Sequence, residues 1–572
     1  MDAVDGTSTS SGRGRLGAVA SIVAVGFVLP ALVTAIGGGF GITRNDDYAF
    51  IDTMRTFVDH GSFEIRGPAD MTLIGQVLLA WPVAKLTSTS ITALQLTTLV
   101  VGTAGLLATA AFARSVVDRK RATLVAVAVA VTPMWAPLAT TFMTDVWAWA
   151  FGALALALVA RATGAGTTRG FVVGLVGALV AAGLAFSIRQ TAVVALLAVL
   201  VGAGVGLATT RSGRVGRTTE RRVAFALGAF AVLVCGGVYR WRSSLGVGGL
   251  GFDRLTVYRA AAPLVNGDQI LVTIALLLLP ASVVFLRRDL VVRRVRACPR
   301  GAPVSAVIIG LLVGLRMAMQ PIDQLTLNDY ASTYGPASYT APMDKIAIVP
   351  LVPWALLVLL AAANLWALGL VLSGPALRRC WEDRPEVLAI AVTVVVGTIG
   401  LLALSWIGSL VRFDRYLLPL VPAGALLLAW VGALEARAPE AGAEDPEPAV
   451  GRVPLAITPV RAVGLAGFVV LAAWFGLASA SFDRVVHRAG DAARRETGAT
   501  VDAGLTVNYT WVLDDPDYEG ITSPDRSGCW ILRQAPDRSD LPGRIVAHER
   551  LLWVDRWFSV VDDPSACQPG GG

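Results

Sequence analysis

The stretch MTLIGQVLLAWPVAKL, Met71–Leu86, decides how the rest of the chain is threaded. It is apolar but only about 16 residues long, and Gln76, Pro82 and Lys85 interrupt it, whereas crossing a hydrocarbon core of ~30 Å takes about 20 residues. If it crossed, every later basic loop would change sides. It is therefore expected to lie at the outer interface as a juxtamembrane or re-entrant helix.

Around it the chain is written for a bilayer. Its 572 residues are 55% hydrophobic and 16% charged, with a mean hydropathy of +0.64, which excludes a water-soluble globule. Spans are expected over roughly 16–36, 91–113, 123–142, 145–160, 170–187, 191–208, 223–239, 270–286, 303–318, 346–372, 387–408, 416–434 and 461–480, about thirteen crossings. The Gly (59) and Pro (29) are tolerated in such runs because neighbouring helices re-satisfy the backbone.

With residues 1–15 inside, the loops carrying Arg119-Lys120-Arg121, Arg211 to Arg222, Arg287 to Arg300 and Arg378-Arg379 all fall on the cytoplasmic face, as the positive-inside rule requires. The net charge of +7 thus orients the chain and gives no reason to expect nucleic acid.

The fold expected is an all-α polytopic membrane protein with outer juxtamembrane helices. A transmembrane domain covers 16–434, including a long first outer loop at 37–90, and an acidic cytoplasmic linker follows at 435–460. The last span, 461–480, leads to an outer domain, 481–572, of α+β or β type. Its short alternating runs are Val507 to Leu513, Cys529 to Leu532 and Leu551 to Val561. Cys529 and Cys567 fall in this outer tail, where a disulfide is permitted; Cys235, Cys298 and Cys380 fall where thiols stay reduced. No CxxC or Cys/His cluster points to structural zinc.

The first loop carries Asn45-Asp46-Asp47-Tyr48. Asn45 or Asp46 could N-cap the helix that follows, with Asp47 in its first turn. In that helix Phe50, Met54, Phe57 and Val58 share a face for lipid or bundle, and Gly61 ends it. An acidic pair at a membrane surface is equally where a base meets a lipid-borne substrate, since an attacking hydroxyl must lose its proton. Adjacent helical residues diverge by about 100°, so the two acids are not expected to share one role.

Asp145, in Thr140-Thr141-Phe142-Met143-Thr144-Asp145, is the second acidic candidate, and Thr144 or Asp145 could also cap the span it opens. Arg189, Arg240, Arg242, Arg412 and Arg415 sit at outer span ends against the charge bias. Each could pair with a carboxylate such as Asp414 or Asp253, or snorkel to headgroups. As a group they suit a phosphate, and Lys85 could join them as a point charge. His60 and His548 are isolated, tryptophans such as Trp81, Trp241, Trp354 and Trp406 read as an aromatic belt, and Gly246–Gly251 reads as flexible connection.

In their order and common sidedness, the acidic pair, Thr144-Asp145, Arg189-Gln190 and Arg415-Tyr416-Leu417-Leu418-Pro419-Leu420 resemble the membrane glycosyltransferases of the C-type fold (GT-C) over roughly 16–434. Within them the resemblance is to the bacterial branch related to protein O-mannosyltransferases and aminoarabinose transferase. It implies transfer of a sugar from a polyprenyl-phosphate donor to a glycan, lipid or protein acceptor on the outer face of the plasma membrane, with inversion. It implies that Asp46 is the catalytic aspartate, that Asp47 takes a position often held by Glu and that Asp145 is the second acid. Lys85, Arg189, Gln190, Arg412, Arg415 and Tyr416 are then the residues for the lipid phosphate. The His that precedes the acidic pair in the eukaryotic mannosyltransferases is missing.

The sequence leaves metal dependence open: two separated acids could hold Mg or Mn, as in the related oligosaccharyltransferases, but the ligands are too few to assign a site. The competing expectations are a lipid-linked sugar flippase, for which internal repeats and mid-span charges are missing, and a non-catalytic envelope assembly protein.

Overall fold

A computed structural model describes residues 8–65, 71–209, 217–245, 267–319, 326–327, 330, 332, 346–409, 413–437, 455, 457–497, 501–503 and 530–562. Among the described residues nine helices are long and apolar enough to cross a membrane, and two bent helix pairs raise the number to eleven. The two other expected crossings are shorter helices. Over 123–142 the apolar run breaks at Thr132-Pro133, where proline cannot donate to a helix, into Arg119–Ala130 and Trp135–Ala139. Both are walled in by neighbouring helices. Over 416–434 the helix starts only at Leu420, behind Pro419. The bent pairs are Gly267–Leu277 with Leu279–Phe285, at 50°, and Arg288–Ala297 with Gly301–Arg316, at 108°. Proline lies at each break, Pro280 and Pro299.

The segment expected as the first outer loop forms two helices, Asp47–His60 and Ile74–Leu86. In the first, Phe50 and Met54 are buried against the bundle, and Gly61, at φ +69°, donates to the Phe57 carbonyl to stop it. Ile74–Leu86 is 13 residues long, too short to span, and is bonded to its neighbours at its N-terminal end. Leu73 N–H donates to the Ile188 carbonyl (2.9 Å), Thr72 Oγ1 to the Phe186 carbonyl (2.7 Å), and Arg242 Nε to the Met71 carbonyl (3.1 Å). Gln76, which reads as an interruption in the sequence, is fully buried.

The last helix, Pro459–Thr497, runs 39 residues without a break at the expected boundary of 480. At 1.5 Å per residue that is roughly 58 Å, about twice a hydrocarbon core. Its C-terminal half, through Phe482, Val485, Val486, Ala489 and Ala493, packs on a four-stranded sheet: β1 (Val501–Asp502), β2 (Trp530–Ala535), β3 (Arg544–Leu551) and β4 (Val554–Asp562). The order is β1-β2-β4-β3, with β1 parallel to β2 and the other pairs antiparallel. Two of the expected alternating runs lie in β2 and β4; Val507 to Leu513, Cys529 and Cys567 lie outside the described residues. The same long helix touches the start of the chain. A Cβ added to Gly37 would lie 2.6 Å from the Ala480 Cβ, so only glycine lets these helices approach so closely.

Candidate active site

The site begins with a turn. Gln95 grips both sides of it, accepting from Gly41 N–H (3.1 Å) and donating to the Ile42 carbonyl (2.8 Å). Asn45 then takes φ +56°, a left-handed conformation that asparagine adopts more readily than bulkier residues, and donates from Nδ2 to the Tyr330 hydroxyl (3.0 Å). This twist turns Asp46 away from the helix it precedes. Asp46 takes the N-cap position of that helix but makes no side-chain cap hydrogen bond there. The Asp46 carboxylate reaches instead to Arg415, with Oδ2 2.7 Å from Nη2. Asp46 keeps 35% of its side chain exposed; Arg415 keeps 1%.

Arg415 lies in the single 3-10 turn Asp414–Leu417, where Asp414 accepts from Tyr330 N–H with both oxygens (3.1 and 3.0 Å). Its guanidinium lies 4.2 Å from the Phe413 ring centroid and 5.9 Å from that of Tyr416. On its far side Nε is 3.9 Å from Asp145 Oδ2. Asp145 pairs with Arg189 Nη1 at 2.8 Å, and the same nitrogen donates to Thr144 Oγ1 at 2.7 Å. Thr144 and Asp145 therefore serve Arg189, and their helix has no side-chain cap. Arg189 closes the group 4.8 Å above the Tyr416 ring. The result alternates in sign: Asp46, Arg415, Asp145, Arg189. Three of the four are at least 95% buried.

Asp145, Arg189, Arg415 and Tyr416 also line a small, partly open apolar pocket, whose other walls include Phe112, Trp149, Leu156 and Val194. An apolar space beside two buried guanidiniums suits an amphiphile with an anionic head, because hydrocarbon fills the one and oxygens engage the other.

Other residues named from the sequence lie elsewhere. Asp47 is fully buried and accepts from Arg44 N–H (2.5 Å) and Phe142 N–H (3.3 Å). Burial pushes its carboxyl up to about 8, against the pull of those two N–H groups and the Arg44 charge. Gln190 accepts from Thr72 N–H (3.2 Å) and so joins the juxtamembrane helix to the Arg189 turn. Lys85 is exposed at the other end of Ile74–Leu86, with no hydrogen bond or ion pair among the described residues. Arg412, Asp253 and Gly246–Gly251 lie outside the described residues. No three His, Cys, Asp or Glu side chains gather as metal ligands among the described residues, and Asp46 and Asp145 are each engaged by a guanidinium.

Arg44 is the residue that the sequence reading missed. It is buried, with Nε 2.6 Å from Asp483 Oδ2, Nη1 2.9 Å from Thr140 Oγ1 and Nη2 2.8 Å from Ser479 Oγ. The signal was present, since Arg44 is another basic residue at an outer span end, next to the acids.

Residues 75–241 match the family model for dolichyl-phosphate-mannose-protein mannosyltransferases. The match bears out the resemblance to polyprenyl-phosphate-dependent membrane glycosyltransferases, and it includes Gln76, Asp145, Arg189 and Gln190. Among solved structures, ArnT from Cupriavidus metallidurans bound to undecaprenyl phosphate is 14% identical, over 97% of this chain and 99% of that one, with a TM-score of 0.47. The oligosaccharyltransferase AglB from Archaeoglobus fulgidus, in complex with an inhibitory peptide and a dolichol-phosphate, is 14% identical over 83% of this chain and 58% of that one, with a TM-score of 0.43. None of the curated protein sequences matches this chain.

Proposed function

We propose that this protein is an inverting glycosyltransferase that moves a sugar from a polyprenyl-phosphate donor to an acceptor on the outer face of the plasma membrane. The observation that carries the reading is the alternating cluster of Asp46, Arg415, Asp145 and Arg189 beside an apolar cavity; the family match over 75–241 supports it. In a single displacement the acceptor hydroxyl attacks the anomeric carbon, and the bond from that carbon to the phosphate oxygen breaks. The hydroxyl proton passes to Asp46. The phosphate leaves as a monoester with one more negative charge, which Arg189 and Arg415 stabilise in a site largely closed to water.

Arg415 has a double part in this scheme. Without donor it neutralises Asp46; a phosphate that draws the guanidinium to itself releases the carboxylate to act as base. Tyr416, whose ring centroid lies 4.8 Å from the Arg189 guanidinium, holds that guanidinium toward the cavity.

The test is Asp46→Asn. The variant should fold, bind undecaprenyl phosphate and transfer no sugar from the polyprenyl-phosphate sugar that accumulates in cells lacking the protein. Transfer at the wild-type rate would end the proposal.

A further inference from the structure

The segment Thr140–Met143, between helices Trp135–Ala139 and Thr144–Thr163, is neither helix nor strand, and its residues are at most 1% exposed. Backbone polar groups in such a place need partners that secondary structure does not supply. The first outer loop and the juxtamembrane helix supply them. Asp47 Oδ2 accepts the Phe142 N–H (3.3 Å), and Gln76 Nε2 donates to the Phe142 carbonyl (3.1 Å). Two residues earlier, Arg44 Nη1 donates to Thr140 Oγ1 (2.9 Å). The segment is therefore held by its neighbours' side chains, and Asp145 follows Phe142 by three residues.

From this we infer that Asp47 is a positioning residue, which with Gln76 sets the place of Asp145 relative to Asp46. Asp47 is bonded through the backbone to Asp46 and through a hydrogen bond to Phe142, so it ties the backbone that carries Asp46 to the segment that leads into Asp145. Arg415 needs both in register, because its guanidinium lies 2.7 Å from one and 3.9 Å from the other. Asp47 has no free edge toward the cavity. One oxygen accepts the Arg44 N–H, the other the Phe142 N–H, and the residue is 0% exposed. The pair of adjacent acids thus divides its labour, one facing the substrate and one holding the frame.

The inference rests on the glycosyltransferase reading, and two measurements keep the failures apart. The first is turnover of the donor that accumulates in cells lacking the protein. Asp47→Asn, which keeps one acceptor oxygen, should lower kcat by about ten- to a hundredfold, the scale of a misplacement near 1 Å, while KM for the donor changes less than about twofold. Gln76→Leu, which reaches the same segment from the other side, should reproduce that split, and it serves if Asp47→Asn fails to fold. The second is thermal unfolding of the purified full chain, where the Tm losses of Asp47→Asn and Gln76→Leu should fall short of additivity in the double variant, because either one releases the same segment. Loss of all turnover in Asp47→Asn, as in Asp46→Asn, or additive Tm losses would overturn the positioning role. An active Asp46→Asn would instead remove the glycosyltransferase reading, and the Tm cycle would still decide whether Asp47 and Gln76 hold one segment.

Discussion

The Asp46 carboxylate and the Arg415 guanidinium, 369 residues apart in sequence, meet at 2.7 Å beside an apolar cavity. One partner is a third exposed and the other is fully buried, so the pair forms the boundary between the outside and the interior of the bundle.

That boundary makes the chemistry of Arg415 specific. Arg415→Lys keeps the charge but replaces a planar fork with a point charge, which cannot face Asp46, Asp145 and a phosphate together. Binding of undecaprenyl phosphate should weaken by about tenfold or more, and donor turnover should fall with it. Titration calorimetry and turnover on the same preparation check this; unchanged binding would take Arg415 out of the phosphate site.

The apolar half of the cavity can be tested separately from its charged end. Gly152 lines it, and a Cβ built there meets only the Ala195 Cβ, at 3.4 Å, so Gly152→Leu should be accommodated while occupying space. Undecaprenyl phosphate should then bind less well, with inorganic phosphate unaffected. Equal binding of the lipid in the variant would show that the chain lies elsewhere.

Arg44 and Asp483 are a buried ion pair, with side chains 3% and 11% exposed. Removing either leaves a charge without its partner, a loss of roughly 3–5 kcal/mol, while removing both costs less than the sum. Denaturation midpoints of Arg44→Ala, Asp483→Ala and the double variant measure this, and additive losses would mean that the pair contributes nothing as a pair.

Asp47 gives stability a pH dependence with an unusual sign. Its carboxyl titrates near 8 in the folded protein and near 3.8 unfolded, so between those values the folded chain holds the extra proton. Stability that the group contributes at acid pH is therefore lost as pH rises through that window, and is level beyond it. Asp47→Asn should flatten the slope of Tm against pH between about 4 and 8. An identical slope in the variant would show that other groups set it.

Much of this was legible in the sequence, for identifiable reasons. Hydropathy marked the spans, and length together with the sidedness of the basic loops argued against a crossing at Met71–Leu86, because a span must match the thickness of the hydrocarbon core and the charge bias. Arginines placed against the charge bias marked Arg189 and Arg415, since a basic residue there needs an anion. What hydropathy could not show is whether an apolar run faces lipid or protein. Residues 123–142 are as hydrophobic as a span, yet they form two short helices enclosed by others, and Thr132-Pro133 was the only local sign. That Asp46 and Asp47 face different surroundings was readable from their divergence, but the partners of each were hidden, because they depend on the left-handed turn at Asn45 and on Phe142. Arg44 could be seen as misplaced, but its partner lies 439 residues away.

That distance bears on how the protein is made. Translation adds about 5–20 residues per second, so Arg44 emerges on the order of 20 to 90 seconds before Asp483 and Ser479 exist. Throughout that interval its guanidinium lacks the Asp483 carboxylate and the Ser479 hydroxyl, and of its partners Asp483, Ser479 and Thr140 only Thr140 is made earlier. The contacts of Arg44 with Asp483 and Ser479 therefore form only when the final helix arrives, whereas those of Gln95 and Asp47 involve residues made long before it. In a copy truncated before Ser479, Arg44 keeps Thr140 but loses both of its partners on the last helix, so the segment leading into Asp46 is held at fewer points.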